Sequence, residues 1–199
     1  PSLSNTGVTK VYDGTTSSSI TPTYTFSGLV SGDTSASLTN TSQAYDTSNV
    51  STASKVTVFG LSINSITGTI GSLSSDYVLS ATSKDVAASI TPRVVTLSAS
   101  KTYDGTAALS GSQVSIGNLV GSETLTYSGA AANDAHVGTA NKFIQTITLG
   151  DGTNGGLVSN YQLPNLNAAN AGVTIAAATL TPSLSNTGVT KVYDGTTSS

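Results

Sequence analysis

The chain of 199 residues has no cysteine, no methionine and no tryptophan, and it has one histidine and one glutamate. Without cysteine, no disulfide can stabilise the fold, although small secreted domains often rely on them. Zinc sites of the usual thiolate and imidazole composition are excluded for the same reason. Because it carries neither methionine nor a signal peptide, the sequence is expected to be an internal segment of a longer protein.

Charged residues are also scarce: they make up 9% of the chain, where ordinary domains carry about 25%. The net charge is −3 and the pI is about 4.7, and no basic patch is present to offset phosphates. This balance disfavours nucleic acid as a partner. No apolar run approaches the ~20 residues of a membrane-spanning helix, so no membrane insertion is expected for this segment.

Serine and threonine are abundant, with 33 of each. Threonine favours strands because its branched Cβ suits a pleated surface. Hydrophobic residues reach 37%, below the usual ~45–50%. They lie in short alternating runs, which predicts small β modules with thin cores rather than disorder.

The chain repeats itself. Residues 1–18 recur letter for letter as residues 182–199, and a weaker copy begins at Pro92. We therefore expect one module at 1–91, a second at 92–181 and the start of a third at 182–199. A two-module unit that returns identically indicates a longer array.

Alternating apolar residues, separated by Gly, Asn, Asp and Ser, predict several short strands in each copy. Examples are Val56 with Val58, Leu125 with Tyr127, and Val173 with Ile175. The predicted fold class is all-β, with tandem small antiparallel β-sandwich (Ig-like) modules forming an elongated stalk. β-Grasp-like modules are the alternative.

A Tyr-Asp-Gly motif opens each copy. It stands at Tyr12-Asp13-Gly14, at Tyr103-Asp104-Gly105 and at Tyr193-Asp194-Gly195. Asp-Gly between strand-like segments predicts a tight hairpin, because Asp bonds its own following backbone and Gly adopts positive φ without a Cβ clash. The motif is thus interpreted as a structural turn whose tyrosine packs over a sheet.

The sequence resembles the YDG-type repeat modules of large exported bacterial adhesins, which are filamentous-haemagglutinin-like and biofilm-matrix proteins. The resemblance rests on Lys-x-Tyr-Asp-Gly-Thr at 10–15 and 101–106, Val-x-Thr-Ala-x-Lys at 50–55 and 137–142, Asn/Asp-Tyr-x-Leu at 76–79 and 160–163, and Ile/Leu-Thr-Pro at 90–92 and 180–182. It covers nearly the whole chain. It implies β-rich stalk modules outside the cell and supplies no catalytic residues.

Few side chains are candidates for chemistry. The recurring lysines Lys10, Lys55, Lys101 and Lys142 are candidates for isopeptide cross-links to asparagine, or they protect strand edges against pairing. No cofactor is expected, and calcium at the joints between modules is left open because aspartates lie on predicted turns. His136 is interpreted as a solvated loop residue, and no enzymatic activity is expected.

These observations predict a structural repeat segment, a stalk or filament, of a bacterial cell-surface adhesin or biofilm-matrix protein. A carbohydrate- or surface-binding repeat module is the alternative. The expected partners are neighbouring repeats of the same chain, with end-to-end or lateral self-association. The expected location is extracellular, on the bacterial cell surface or in a secreted matrix.

Overall fold

The computed structural model describes residues 1–197, and the described part is all-β, with three short 3₁₀ turns and no α-helix. The strands of residues 1–91, here called the first half, are β1 (Ser2–Leu3), β2 (Val8–Val11), β3 (Tyr24–Thr25), β4 (Asp33–Thr39), β5 (Ser42–Tyr45), β6 (Lys55–Phe59), β7 (Ser62–Gly68) and β8 (Ser83–Thr91). Those of residues 92–181, the second half, are β9 (Arg93–Val94), β10 (Thr96–Thr102), β11 (Val114–Gly117), β12 (Leu125–Ala132), β13 (Ile144–Asp151), β14 (Tyr161–Gln162) and β15 (Ala171–Ala176). The 3₁₀ turns are Ser74–Asp76, Gly111–Gln113 and Val158–Asn160.

The first half has a four-stranded sheet in the order β2-β8-β6-β5, together with the pairs β4-β7 and β1-β3. In the four-stranded sheet, β2 runs parallel to β8, with Val8 opposite Ala88, while β6 runs antiparallel to both of its neighbours. Strand β2, near the start of the half, thereby pairs with the closing strand β8.

The second half shares the parallel pairing of an early strand with the last one. Strand β10 lies parallel to the closing strand β15, with Leu97 opposite Ala171, and antiparallel to β11. The strands β12 and β13 form a long antiparallel pair, and the short β9 and β14 pair in parallel. Within the described residues, every strand pair lies inside one half.

The parallel pairs β2-β8, β10-β15 and β9-β14 differ from the antiparallel modules predicted from the sequence. The physical reason is that alternation of apolar residues marks which side chains face inward, but it is the same for a strand of either direction. The all-β class is confirmed, and the predicted runs at Val56, Leu125 and Val173 lie in strands β6, β12 and β15.

One continuous cluster of buried side chains extends through both halves. In β10 alternate residues point inward, so that Leu97, Ala99 and Lys101 are all buried. From the first half the cluster includes Val8, Tyr12, Tyr45, Val56, Val86 and Ile90, and from the second half Val95, Leu97, Ala99, Leu109, Val114, Ala130, Ala132, Ile144, Ile147, Tyr161, Ala171, Val173 and Ile175. Tyr12 and Tyr161 bring the two sets of residues together across the junction.

The segment that begins the third copy contains no strand over its described residues 182–197, and Leu184, Val189, Val192 and Tyr193 are exposed there. The last two residues of the predicted third module, 198 and 199, lie outside the described part. Elsewhere in the described part, no helix has the length and apolar character needed to cross a membrane.

Candidate functional site at the junction between the halves

The Tyr-Asp-Gly-Thr motif forms a clamped turn. Asp13 Oδ1 accepts hydrogen bonds from the backbone N–H of Thr15 at 2.9 Å and from its hydroxyl at 2.9 Å. The Lys10 amine donates to the same oxygen at 2.7 Å and to the Thr15 carbonyl at 2.7 Å. Gly14 has φ +76°, a conformation that glycine adopts without steric cost. The Lys-x-x-Asp-x-Thr spacing is therefore the spacing that this turn requires.

The second copy of the motif has the same geometry. Asp104 Oδ1 lies 2.7 Å from the Lys101 amine and accepts from the Thr106 backbone N–H at 3.0 Å. The Lys101 side chain is fully buried, and its amine also donates to the Ala108 carbonyl at 2.9 Å. The hydrogen bond from Lys101, followed by those from Thr106, lowers the pKa of Asp104 to about 2.

The Asp-Gly turn does not close a hairpin, contrary to the prediction. The strand before it, β2, pairs with β8 instead, and the Tyr12 backbone N–H extends that ladder to the Thr91 carbonyl at 2.9 Å. Asp-Gly favours a tight turn of the chain at that point. Which strands pair depends instead on how their apolar side chains pack against residues far away in the sequence.

The Tyr12 ring enters the junction. It is buried and meets Tyr161 of the second half edge to face, with ring centroids 5.4 Å apart and an interplanar angle of 77°. Such edge-to-face pairs stabilise by roughly 0.5–1.5 kcal/mol beyond the area they bury.

Glu123, the one glutamate of the chain, accepts both phenols. Tyr12 OH donates to Oε1 at 2.7 Å and Tyr161 OH donates to Oε2 at 2.6 Å. Tyr161 OH in turn accepts the Val120 backbone N–H at 2.9 Å, and the Glu123 backbone N–H donates to the Val120 carbonyl at 3.0 Å. Each carboxylate oxygen therefore has a phenol donor, one from each half.

Burial, and then the hydrogen bond to Glu123, raises the pKa of Tyr161 to about 12. The same causes in the same order raise the pKa of Tyr12 above its ordinary value. Both phenols are thus protonated donors throughout the neutral range, and the carboxylate between them supplies the acceptor. Hydrogen bonds to an ionised acceptor are about twice as strong as neutral ones.

A second polar contact lies beside the phenols. Asn160, fully buried, accepts the Val50 backbone N–H on its side-chain oxygen at 2.9 Å and donates its amide to the Asn49 side-chain oxygen at 3.0 Å. Because both ends of this buried amide are paired across the junction, separation of the halves leaves it without these two partners.

Gly14 packs directly on the second half. A Cβ built at Gly14 lies 2.8 Å from Val120 Cγ1 and 3.9 Å from Val120 Cβ. At the equivalent Gly105, with φ +83°, no heavy atom of residues 1–197 lies within 4 Å of such a Cβ. The glycine of the first motif therefore serves both the turn and the close approach of the two halves.

The candidate cross-link lysines are placed beside acceptors other than asparagine. Lys10 and Lys101 bond within their own turns, and Lys55 pairs with Asp85 at 2.6 Å. Lys142 donates to the Val137 and Thr139 carbonyls. The isopeptide hypothesis stays a prediction, which intact mass tests because each bond releases one ammonia.

His136 is exposed and stacks on Tyr103, with ring centroids 6.3 Å apart and an interplanar angle of 26°. Its backbone N–H donates to Asp134 Oδ1 at 2.6 Å. Among residues 1–197 no three His, Asp or Glu side chains come together in a group that could hold a metal ion. The calcium hypothesis thus stays untested.

Sequence reasoning identified the turn residues but missed Glu123, Asn160 and Val120 as junction residues. A signal was present: Glu123 occupies the position of Asp33 in the other copy, and Tyr161 the position of Tyr77. An acid and a tyrosine that recur in both copies indicate a shared role. The repetition does not show that the acid and the tyrosine are in contact, or that Tyr12 also bonds to the acid of the second copy.

The model of the YDG domain family matches residues 2–84 and 86–171 of the chain. No curated protein and no solved structure is significantly similar to the chain.

Proposed function

The chain belongs to the YDG domain family, and from this premise we propose that it is a structural repeat segment, a stalk or filament, of a bacterial cell-surface adhesin or biofilm-matrix protein. Its place is extracellular, and it acts by spacing and orienting other parts of a longer chain rather than by catalysis. Neighbouring repeats are its partners.

The observation that carries this proposal is the direct docking of one half on the other through Tyr12, Glu123 and Asn160. Domains joined only by a linker move relative to one another unless the interface between them is substantial. Here apolar packing and paired buried polar groups both oppose such motion, and restricted motion is the property that a spacer under load needs.

We further propose that each half is a small two-sheet sandwich of the Ig-like kind and that successive halves extend as a stalk. The separate pairs β4-β7 and β12-β13, which add a second sheet to each half, support this arrangement. The parallel pairs β2-β8 and β10-β15 favour the β-grasp-like alternative instead, because an Ig-type sandwich is built from antiparallel sheets.

Surface labelling tests the proposed location and role. Antibodies raised against this chain should label intact cells of the organism that produces it, and the matrix around them, without permeabilisation. An antibody to a cytoplasmic protein serves as the control and should label only permeabilised cells. Labelling by the first antibody that also requires permeabilisation contradicts the proposal.

Small-angle scattering tests the elongated shape. The maximum dimension of a chain that carries two successive copies of residues 1–181 should be nearly double that of one copy. A particle that grows evenly in all directions contradicts the stalk. Binding to a glycan array at micromolar concentration favours the carbohydrate-binding alternative.

A further inference from the structure

The first half contains a second copy of the acid–tyrosine arrangement that receives Tyr12 in the second half. Tyr77 OH donates to Asp33 Oδ2 at 2.6 Å and accepts the Val30 backbone N–H at 3.0 Å. The Asp33 backbone N–H donates to the Val30 carbonyl at 3.1 Å. These contacts repeat those of Tyr161, Glu123 and Val120 bond for bond.

One contact differs between the two copies. In the second half, the other carboxylate oxygen of Glu123 accepts Tyr12 OH, whereas Asp33 Oδ1 is buried and has no hydrogen-bond partner within the described residues. Asp33 is only 9% exposed, and a buried carboxylate oxygen without a donor is costly. Beside it Val30 is 53% exposed, while its counterpart Val120 is half-buried against Gly14.

The second half carries the matching donor face. Tyr103 stands at the position of Tyr12 but is 36% exposed, and Val137 stands at the position of Val50 and is 43% exposed. The Tyr103 backbone N–H donates to the Ala176 carbonyl at 2.8 Å, at the end of β15. This face therefore lies where the chain leaves the second half, as the Tyr12 face lies beside the end of β8.

The two faces are also complementary in hydrogen bonding. At the internal junction Asn49 meets Asn160. His136 occupies the position of Asn49 on the free donor face, and Asp76 occupies the position of Asn160 on the free acceptor face. The Asn–Asn pair of the internal junction therefore corresponds in sequence to a His–Asp pair, in which an imidazole N–H can donate to a carboxylate.

We propose that the acceptor face of Val30, Asp33, Asp76 and Tyr77 binds the donor face of Tyr103, His136 and Val137 of a second copy of this chain. Tyr103 OH donates to the Asp33 carboxylate, as Tyr12 OH donates to that of Glu123, and Val30 packs on Gly105. The inference rests on the proposed function, because it assigns the contact by which one two-module unit docks on the next.

This contact joins two different faces, so it is heterologous. Each added copy still presents one unoccupied face, and the contact can therefore repeat from copy to copy. Within an array the following unit is tethered, and tethering raises the effective concentration of the second face to about the millimolar range. Between separate chains the same contact is weaker, so a trapping experiment detects it best.

Engineered disulfides trap the contact in a chain that has no cysteine of its own. The reference pair is Gly14→Cys with Val120→Cys, since their Cβ atoms lie 3.9 Å apart, inside the range of about 3.5–4.5 Å that a disulfide needs. It should yield an oxidised monomer. The test pair is Gly105→Cys with Val30→Cys, which should yield a ladder of dimers and longer multimers on a non-reducing gel.

A matched control measures random collision. Gly129 also has positive φ, at +61°, a Cβ built there has no neighbour within 4 Å in the described part of the chain, and it lies outside both faces. Gly129→Cys with Val30→Cys should give at least tenfold less multimer than the test pair under the same oxidant. Equal ladders from the two pairs, or no ladder from the test pair while the reference pair oxidises, overturn the proposal.

A second variant tests the assigned hydrogen bond without altering the turn. In the test pair, Tyr103→Phe should slow multimer formation about tenfold, because the bond to a charged acceptor is lost. Tyr127→Phe, which removes a phenol bonded to the Gly111 carbonyl, should leave the rate unchanged. Unchanged trapping in Tyr103→Phe overturns the proposal. Surface labelling reports the stalk function separately, so the docking contact can fail while that function stands.

Discussion

Tyr12 and Glu123 are 111 positions apart in the sequence, and the Tyr12 phenol donates a 2.7 Å hydrogen bond to the Glu123 carboxylate. The bond connects the opening motif of one repeat to a loop of the next. Because Glu123 also accepts Tyr161 OH, the two halves share one carboxylate and are expected to unfold with some coupling rather than independently.

Replacement of the shared carboxylate should weaken the junction. Glu123→Gln should reduce the free energy of unfolding by about 1–3 kcal/mol, since the charged acceptor of two phenols is lost. Urea denaturation followed by tyrosine fluorescence measures the loss. Asp33→Asn is the matched control, because the Asp33 carboxylate accepts one phenol, that of Tyr77, among the described residues. Equal losses in the two variants contradict a stabilising role for the junction.

Two glycine substitutions distinguish the contribution of the turn to stability from that of the junction. Gly14→Ala and Gly105→Ala each place a Cβ at positive φ, at a cost of roughly 1–2 kcal/mol. Gly14→Ala should cost about 1–3 kcal/mol more, because its Cβ meets Val120. Chemical denaturation of the two variants gives the difference, and identical losses exclude a close approach at Gly14.

Alkaline pH should open the junction. The pKa of Tyr161 is about 12 in the folded chain and about 10 when unfolded, so its contribution to stability is complete below pH 10 and is lost as the pH rises through 12. The raised pKa of Tyr12 acts in the same direction. Denaturation midpoints between pH 8 and 12 should fall less steeply in Tyr12→Phe/Tyr161→Phe. Parallel curves for this variant and the natural chain contradict the prediction.

Acid should release the clamped turn of the second half. The pKa of Asp104 is about 2 in the folded chain, below its unfolded value of about 3.8, so its contribution is present above about pH 4 and is lost as the pH falls through 2. Stability measured between pH 5 and 2 should decline less in Asp104→Asn. A decline in Asp104→Asn as steep as that of the natural chain contradicts the prediction.

Much of the local structure could be predicted. Alternation at Val56 and Val58 and at Val173 and Ile175 placed strands correctly, because a pleated strand turns every second side chain to the same face. The direction of pairing could not be predicted, since β2 reads the same whether β8 lies parallel or antiparallel to it. The register of a strand and the strand with which it pairs are determined only when their apolar faces pack together in the folded chain.

The sequence by itself determined the composition class, the two-fold repeat and the turn at Asp13-Gly14, because each depends on neighbouring residues or on comparison of the chain with itself. Only the tertiary structure decided that Tyr12, Glu123, Asn160 and Tyr161 form one junction. The physical reason is that a hydrogen bond or ring contact depends on distance in space, and residues 111 positions apart carry no local mark of the partner they will meet.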